Sequence, residues 1–189
     1  MEVIETNYDG YHFRSRLEAR FAVFFNYLRT PYEYEKEGYN LDGEFYLPDF
    51  FLPDVTLRGI AEHYCTGTEK DVACNAGVWL EVKGKEHTDR ESKLCENLGA
   101  FTITPVVLIE GMPNLDNVEN FYQLWPWWDN GMCFMKCFRC GAIKIEFLES
   151  SYSSCKKCGC EEDGMWNHPD ILSAIHHAKS ARFEFGQSG

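Results

Sequence analysis

The chain lacks long apolar runs and is poor in positive charge, and each absence excludes a class of protein. No apolar run approaches the ~18 residues of a membrane-spanning helix. The opening segment MEVIETNYDG carries acids and lacks an apolar core, so we expect no secretory leader and a cytoplasmic location. Against 30 acids there are only 18 lysines and arginines, a net charge of −12. This charge argues against tight non-specific binding to DNA.

The acid excess lies entirely in the first 130 residues. Residues 1–60 hold 11 acids and 6 bases, residues 61–130 hold 12 and 5, and residues 131–189 hold 7 of each. A hydrophobic content of 44% and an aromatic content of 15% are sufficient for a packed core. The length of 189 residues fits one ordinary domain with a small appendage.

Apolar spacing and turn residues predict a mixed α/β fold. A helix is expected from Ser15, its N-cap, to about Leu28, because the apolar residues between them recur at helical spacing. A polar helix is expected at 88–98, and a C-terminal helix with Pro169 in its first turn. Strands are expected over 32–35, 44–52, 78–83 and 104–109. Residues 56–77 show no clear period and are predicted to be an insertion or a long loop.

The segment VWLEVKG, residues 78–84, places Glu81 and Lys83 on one face near the end of an apolar strand. Upstream, Asp49 follows Pro48 at the entry to another apolar strand. If these strands are adjacent, the three polar groups meet at one end of a sheet. Carboxylates are the ligands that Mg²⁺ prefers, and a lysine can orient the nucleophile or stabilise the transition state of phosphodiester hydrolysis. The alternatives are a surface ion pair of Glu81 with Lys83, and Asp54 in place of Asp49.

The pattern Pro48-Asp49 followed by Glu81-Val82-Lys83 resembles the PD-(D/E)XK nucleases. The segment FRSRLEARFAVFFNYL, residues 13–28, is similar to the first helix of the branch that contains junction-resolving and transposon-end-cleaving nucleases. In that branch a helical glutamate joins the metal site, and Glu18 matches it. The resemblance covers about residues 8–110. Thirty-one residues separate Asp49 from Glu81, more than is common in the family.

This resemblance implies a restriction-endonuclease-like mixed sheet flanked by helices, and a DNA endonuclease that is structure-specific or related to phage or defence. It implies that Glu18, Asp49 and Glu81 hold Mg²⁺ or Mn²⁺ and that Lys83 is the catalytic base or stabiliser. Many similar nucleases are dimers, so a homodimer is an open expectation. Two alternatives remain: Glu18 forms only a salt bridge with Arg14, or the whole fold is an inactive scaffold that binds a protein or nucleic-acid partner.

Nine cysteines, an odd number, favour metal binding over disulfides in a reducing compartment. Two C-x-x-C-G segments, 14 residues apart, have the spacing of a closed tetrahedral zinc site that is structural because no position is left for water. Their cysteines are Cys137, Cys140, Cys155 and Cys158. Cys133 and Cys160 flank them, and either is able to substitute for one of the four. A second site at His63, Cys65 and Cys74 is the weaker of two interpretations of that loop.

The predicted domains are a nuclease-like core over 1–130, a zinc ribbon over 131–165, and a C-terminal helix and tail over 166–189. Between Cys133 and Cys160 there are five bases and two acids, so the ribbon is the best candidate to contact a phosphate backbone. A ribbon that only braces the C-terminal helix is an equal alternative. The residues predicted to contact nucleic acid are Arg14, Arg16, Arg139, Lys156 and Lys157.

Overall fold

A computed structural model describes most of the chain. The described residues are 4–57, 77–116, 118–126, 128–148, 155, 157–161 and 165–183. Lys156 and the proposed second metal site at His63, Cys65 and Cys74 lie outside them. Within the described part of the chain, none of the helices has the length and apolar character needed to cross a membrane.

Among the residues that the structure describes there are three α-helices and thirteen short strands. The helices are α1 (Arg16–Leu28), α2 (Asp89–Thr102) and α3 (Pro169–Ser180), the last preceded by a 3₁₀ turn at Met165–Asn167. The strands of the first half are β1 (Thr6–Tyr8), β2 (Tyr11–Phe13), β3 (Glu33–Tyr34), β4 (Tyr39–Leu41), β5 (Glu44–Tyr46), β6 (Phe50–Leu52) and β7 (Thr56–Leu57). The later strands are β8 (Val78–Lys83), β9 (Val106–Glu110), β10 (Phe121–Trp125), β11 (Asp129–Asn130), β12 (Met132–Lys136) and β13 (Ile143–Phe147).

The central sheet has six strands in the order β11-β10-β9-β8-β6-β3. β8 and β9 are parallel, whereas β6 pairs antiparallel with both β8 and β3. The helix α2 connects β8 to β9, as a parallel crossover requires. The chain is therefore a mixed α/β protein, as predicted.

One predicted strand, residues 44–52, is wrong as a single element. β5 pairs with β4 in a separate two-stranded sheet, and β6 belongs to the central sheet. Pro48 lies between them and has no N–H to donate to a ladder, which accounts for the interruption. Asp49 therefore lies immediately before Phe50, the first residue of β6.

The two faces of the central sheet carry separate cores. On one face α1 and α3 pack together over residues of β6, β8 and β9, and Phe24 and Phe25 of α1 contact Phe134 of β12. On the other face α2 covers Trp79 of β8 and Leu108 of β9. Because Phe134 belongs to the first core, the packing is continuous across the boundary predicted at residue 130.

A second sheet joins the C-terminal part of the chain to the first half. β12 and β13 form an antiparallel hairpin, and β13 also pairs in parallel with β7. β7 lies within the segment predicted to be an insertion. Its pairing shows that the first residues of this segment contribute to the sheet that supports the cysteine pairs.

Candidate active site and cysteine centre

Asp49 and Glu81 meet because β6 and β8 are antiparallel neighbours. Phe50 is opposite Leu80 in the register, so the residues beyond them, Asp49 and Glu81, lie side by side. The Val82 N–H donates to Asp49 Oδ2 at 2.8 Å, and the Asp49 N–H points to Glu81 Oε2 at 3.4 Å. Both side chains are about 5% exposed. The two carboxylates are thus held at the end of the sheet by backbone groups.

Glu18 reaches the same region from the first turn of α1. Ser15 is the N-cap, and its hydroxyl accepts from the Glu18 N–H and donates to Glu18 Oε1 at 2.7 Å. Glu18 Oε2 accepts from the Arg14 N–H and from the Tyr34 hydroxyl. The Ser-x-x-Glu spacing is typical of a capped helix start. The sequence therefore also indicated a capping role for Glu18, beside the metal-binding role that the family resemblance implies. Glu18 therefore has a structural role whether or not it binds a metal.

Two cations lie against these carboxylates. Arg14 Nη2 is 2.8 Å from Asp49 Oδ1, and its Nε is 2.6 Å from Glu35. Lys83 Nζ is 2.7 Å from Glu81 Oε1 and 3.1 Å from Glu91. The side chain of Arg14 is half exposed and that of Lys83 is 24% exposed. Arg14, one of the five residues predicted to contact nucleic acid, therefore lies at the carboxylates.

The surroundings of Asp49 raise its pKa, because burial and the neighbouring carboxylates together outweigh the effect of Arg14 and the Val82 N–H. Burial, followed by the charges of Glu81 and Glu18, raises the pKa of Asp49 well above its ordinary value, although the Val82 N–H and Arg14 act in the opposite direction. Burial lowers the pKa of Lys83, but the ion pair with Glu81 outweighs it, and the net shift is upward. Lys83 is consequently a protonated ammonium at neutral pH.

Tyr34 and Tyr46 complete the hydrogen bonding of the carboxylates, and the sequence analysis missed both. The Tyr34 hydroxyl donates to Glu18 at 2.5 Å, and the Tyr46 hydroxyl donates to Glu81 Oε2 at 2.7 Å. Tyr46 lies in β5, which is outside the central sheet, so no strand pattern placed it near Glu81. Glu91, which holds Lys83, did have a signal. It forms a capping box with Thr88 at the start of α2.

A histidine–glutamate pair lies one strand beyond Lys83. In the parallel ladder Lys83 is opposite Glu110, so the two side chains emerge on the same face. Glu110 Oε1 is 2.6 Å from His87 Nδ1 and accepts from the His87 N–H at 2.8 Å. The His87 ring packs edge-on against Tyr122. This pair was not predicted from the sequence, because neither His87 nor Glu110 belongs to the nuclease-like motif of Glu18, Asp49, Glu81 and Lys83.

The three carboxylates fit a hard divalent cation in their chemistry. All of their donor atoms are oxygens, and a cation would offset the repulsion that raises the pKa of Asp49. In the described parts of the chain, however, only the cysteines form a group of three or more ligand atoms gathered closely enough for one ion. Arg14 and Lys83 bond to the carboxylates instead. A divalent ion would therefore take over the charge balance from at least one of these side chains.

The four predicted cysteines converge on one position. The Sγ atoms of Cys137, Cys140, Cys155 and Cys158 all lie within 4.8 Å of one another. Each pair is closed by a glycine of positive φ, Gly141 at 72° and Gly159 at 69°, a conformation that other residues adopt with strain. The N–H groups of these glycines donate to the carbonyls of the first cysteine of each pair. The seven described cysteines form no disulfide, and the four thiols suit one tetrahedral metal ion.

The other predicted nucleic-acid contacts are spread over the surface. Arg16 begins α1, half-buried, and Arg139 and Lys157 are exposed beside the cysteine pairs. Arg14 lies at the carboxylates, whereas Arg139 and Lys157 lie on the cysteine-rich segment. Lys156 lies outside the described residues.

No protein-family model matches this chain, and no significant match exists among curated proteins or solved structures.

Proposed function

We propose that this protein is a metal-dependent endonuclease that hydrolyses phosphodiester bonds in DNA. The observation that carries the proposal is the pairing of β6 with β8, which sets Asp49 beside Glu81, with Lys83 next along the strand and on the same face. Glu18 joins them through Arg14 and Tyr34, each of which contacts it. The resemblance of these residues to the PD-(D/E)XK nucleases supports the same conclusion.

The metal in this proposal is Mg²⁺ or Mn²⁺, held by Glu18, Asp49 and Glu81. When bound, such an ion lowers the pKa of a coordinated water and offsets charge on the phosphate. The protein supplies the rigid placement of the carboxylates, since Val82 N–H and the Tyr46 hydroxyl fix one oxygen of Asp49 and one of Glu81. Fixed ligands of this kind reduce the reorganisation that the reaction requires.

Lys83 acts in this proposal as a cation and not as a base. Without a bound metal ion its ammonium is protonated at neutral pH, because the ion pair with Glu81 outweighs the effect of burial and raises its pKa. It is therefore able to donate hydrogen bonds to a phosphate oxygen and to stabilise the charge that grows in the transition state. Of the two roles that the family resemblance allows for Lys83, the stabiliser fits these contacts better.

In this proposal, basic side chains around and beyond the carboxylates bind the DNA backbone. Arg14 is half exposed, and it would be released toward a phosphate when a divalent ion neutralises Asp49. Arg139 and Lys157 lie exposed on the cysteine-rich segment, which we propose is a zinc ribbon. Because the chain as a whole carries −12, we propose a structured or branched DNA substrate, or delivery by a protein partner, and not scanning of plain duplex.

A second candidate function is a non-catalytic scaffold that binds a partner through the ribbon. It is favoured by the full engagement of the carboxylates: Arg14, Lys83, Tyr34 and Tyr46 already bond to them. All three carboxylates thus have hydrogen-bond or ion-pair partners without a metal ion. Its expected sign is binding of a nucleic acid or protein with no turnover.

The test is cleavage of a panel of linear, branched and single-stranded DNA and RNA in Mg²⁺, in Mn²⁺ and without added divalent ion. Metal-free buffer is preferable to a strong chelator, which would also attack the cysteine centre. The informative variant is Asp49→Asn, which keeps an oxygen for the Val82 N–H, and its control is Asp54→Asn, an exposed carboxylate on the same segment. We expect a loss of at least ~100-fold for the first and none for the second. Absence of cleavage by the wild type on every substrate would favour the scaffold.

A further inference from the structure

A fifth thiol, that of Cys160, contacts two of the four thiols at the cysteine centre. Cys160 Sγ is 3.2 Å from Cys137 Sγ and 3.3 Å from Cys158 Sγ. These separations are no longer than the 3.4 Å between Cys140 and Cys155 or the 3.7 Å between Cys137 and Cys158, which belong to the expected ligand set. Cys160 is also buried. It therefore adjoins two of the four expected ligands, although it is not one of the four whose sulfurs all lie within 4.8 Å of one another.

Cys133, the other cysteine that flanks the pairs, is excluded from the centre. It lies in the middle of the β12–β13 ladder, opposite Glu146, and its Sγ is 3.5 Å from the Glu146 carbonyl oxygen. Its Sγ forms no hydrogen bond with another sulfur among the described residues, although Cys133 packs in the same buried cluster as Cys137 and Cys160. Of the two substitutes that the sequence allows, only Cys160 is in place.

A single zinc ion is able to use only four of the five sulfurs. Four thiolates at ~2.3 Å in a tetrahedron are about 3.8 Å apart. Cys160 lies within that separation of both Cys137 and Cys158. Cys158 shares its turn with Cys160, whereas Cys137 lies on the other turn beside Cys140, so we take the sulfur of Cys160 to compete with that of Cys158 for one corner.

The backbone between the two competing cysteines suits an exchange. Gly159 separates them and has a φ of 69°. Its N–H donates to the Cys155 carbonyl at 2.7 Å, and the Cys160 carbonyl accepts from the Cys155 N–H at 2.8 Å. Both cysteines are thus carried on one turn that Cys155 holds at the metal position. Because glycine has a wide range of backbone conformations, this turn is able to present either sulfur.

We propose that Cys158 and Cys160 are alternative fourth ligands of one zinc ion, while Cys137, Cys140 and Cys155 are constant ligands. At any moment one of the two is a thiol in contact with the metal-bound sulfurs. The proposal concerns the metal centre alone and does not depend on nuclease activity.

The test is zinc content and chelator competition on the full-length protein, with cobalt spectra to count the bound thiolates. The variants are Cys158→Ser, Cys160→Ser and the double variant. Cys140→Ser serves as a control for a constant ligand, and Cys133→Ser as a control for a cysteine outside the centre. We expect both single variants to keep one metal ion, a four-thiolate cobalt spectrum and an affinity within ~10-fold of wild type. The double variant and Cys140→Ser should lose more than ~100-fold.

Two outcomes would overturn the proposal. If Cys158→Ser loses as much affinity as Cys140→Ser, Cys160 does not substitute for it. If Cys160→Ser loses that much while Cys158→Ser behaves as wild type, the ligand set is fixed with Cys160 as the fourth member. Should a variant fold poorly, slow alkylation of the zinc-loaded wild type with peptide mapping decides the question. Alternation predicts label shared between Cys158 and Cys160, whereas label on one of them alone contradicts it.

Discussion

The carboxylate site and the cysteine centre lie in the same chain but are assembled in different ways. Asp49 and Glu81 are at the end of a six-stranded sheet with a core on each face, and arginine, lysine and tyrosine side chains already bond to the carboxylates. The cysteines lie on two short turns at the end of the β12–β13 hairpin, and the buried residues around them are mostly cysteine and methionine. Side-chain hydrogen bonds and ion pairs therefore position the carboxylates, whereas we propose that a metal ion stabilises the two cysteine turns.

The largest expected effect is that of removing the metal ion that we propose at the cysteine centre. Structural zinc contributes ~10–16 kcal/mol of apparent binding free energy in small zinc modules, and that stabilisation is lost with the ion. We expect a strong chelator to abolish the protection of backbone amides from hydrogen exchange over residues 137–141 and 157–160, while the amides of β8 and β9 keep their protection. Hydrogen exchange measured by mass spectrometry checks this. Equal loss of protection in both regions would show that they unfold as one unit.

The next effect is that of removing a hydrogen bond from the carboxylate site. Tyr46→Phe deletes the hydroxyl that donates to Glu81 in a buried setting. A hydrogen bond to a charged group contributes ~1.5–3 kcal/mol, so the midpoint of thermal unfolding should fall by ~3–12 °C. Tyr27→Phe, on the exposed side of α1, is the control and should leave the midpoint unchanged. A fall of similar size in both variants would show that the hydroxyl of Tyr46 is not the cause.

A smaller effect of opposite sign is expected for Asp49→Asn in the absence of divalent ions. Burial and the acidic neighbours raise the pKa of Asp49. The contribution of Asp49 to folding stability is therefore fully present below its ordinary pKa of 3.8 and is lost as the pH rises through the raised pKa. The neutral amide avoids that loss. Thermal unfolding at neutral pH in metal-free buffer should therefore show the variant to be a few degrees more stable. A less stable variant would mean that the pair with Arg14 outweighs the repulsion.

The smallest effect concerns Glu91, which anchors Lys83. Burial raises the pKa of Glu91, but the Thr88 hydrogen bonds and Lys83 outweigh it and lower the pKa to about 2. Its contribution is therefore present above the ordinary value of 4.5 and is lost as the pH falls toward about 2. Glu91→Gln should flatten the decline in stability between these values, as measured by urea unfolding. Glu96→Gln, which removes an exposed carboxylate of the same helix, should retain the wild-type decline.

Local pattern was enough for much of the fold. The helix that begins after Ser15, the strand Val78–Lys83 and the spacing of the four cysteines each follow from residues close in sequence, and the structure confirms all three. The strand predicted at 44–52 failed because β5 and β6 belong to different sheets, and that depends on the partners that each strand finds.

The surroundings of the candidate site were harder to predict than its motif. Tyr46 approaches Glu81 from a strand 35 residues earlier, and Arg14 approaches Asp49 from just before α1. No periodicity within one element specifies such contacts, because they arise from tertiary packing. The contact of Cys160 with Cys137 is of the same kind. The sequence allowed it, but only the folded turn distinguishes Cys160 from Cys133.

The central claim is that Glu18, Asp49 and Glu81 bind one divalent metal ion, with Asp49 and Glu81 set side by side by the central sheet and Glu18 supplied by α1. Calorimetric titration of Mn²⁺ into the zinc-loaded protein tests it most directly, with Asp49→Asn as the disabled variant and Asp54→Asn as the matched control. We predict one bound ion for wild type and for Asp54→Asn, and none for Asp49→Asn. At a free ion concentration of 10 times the dissociation constant, binding should add ~1.4 kcal/mol to the stability of the first two proteins only. Equal Mn²⁺ binding by all three proteins, or binding by none, would contradict the account.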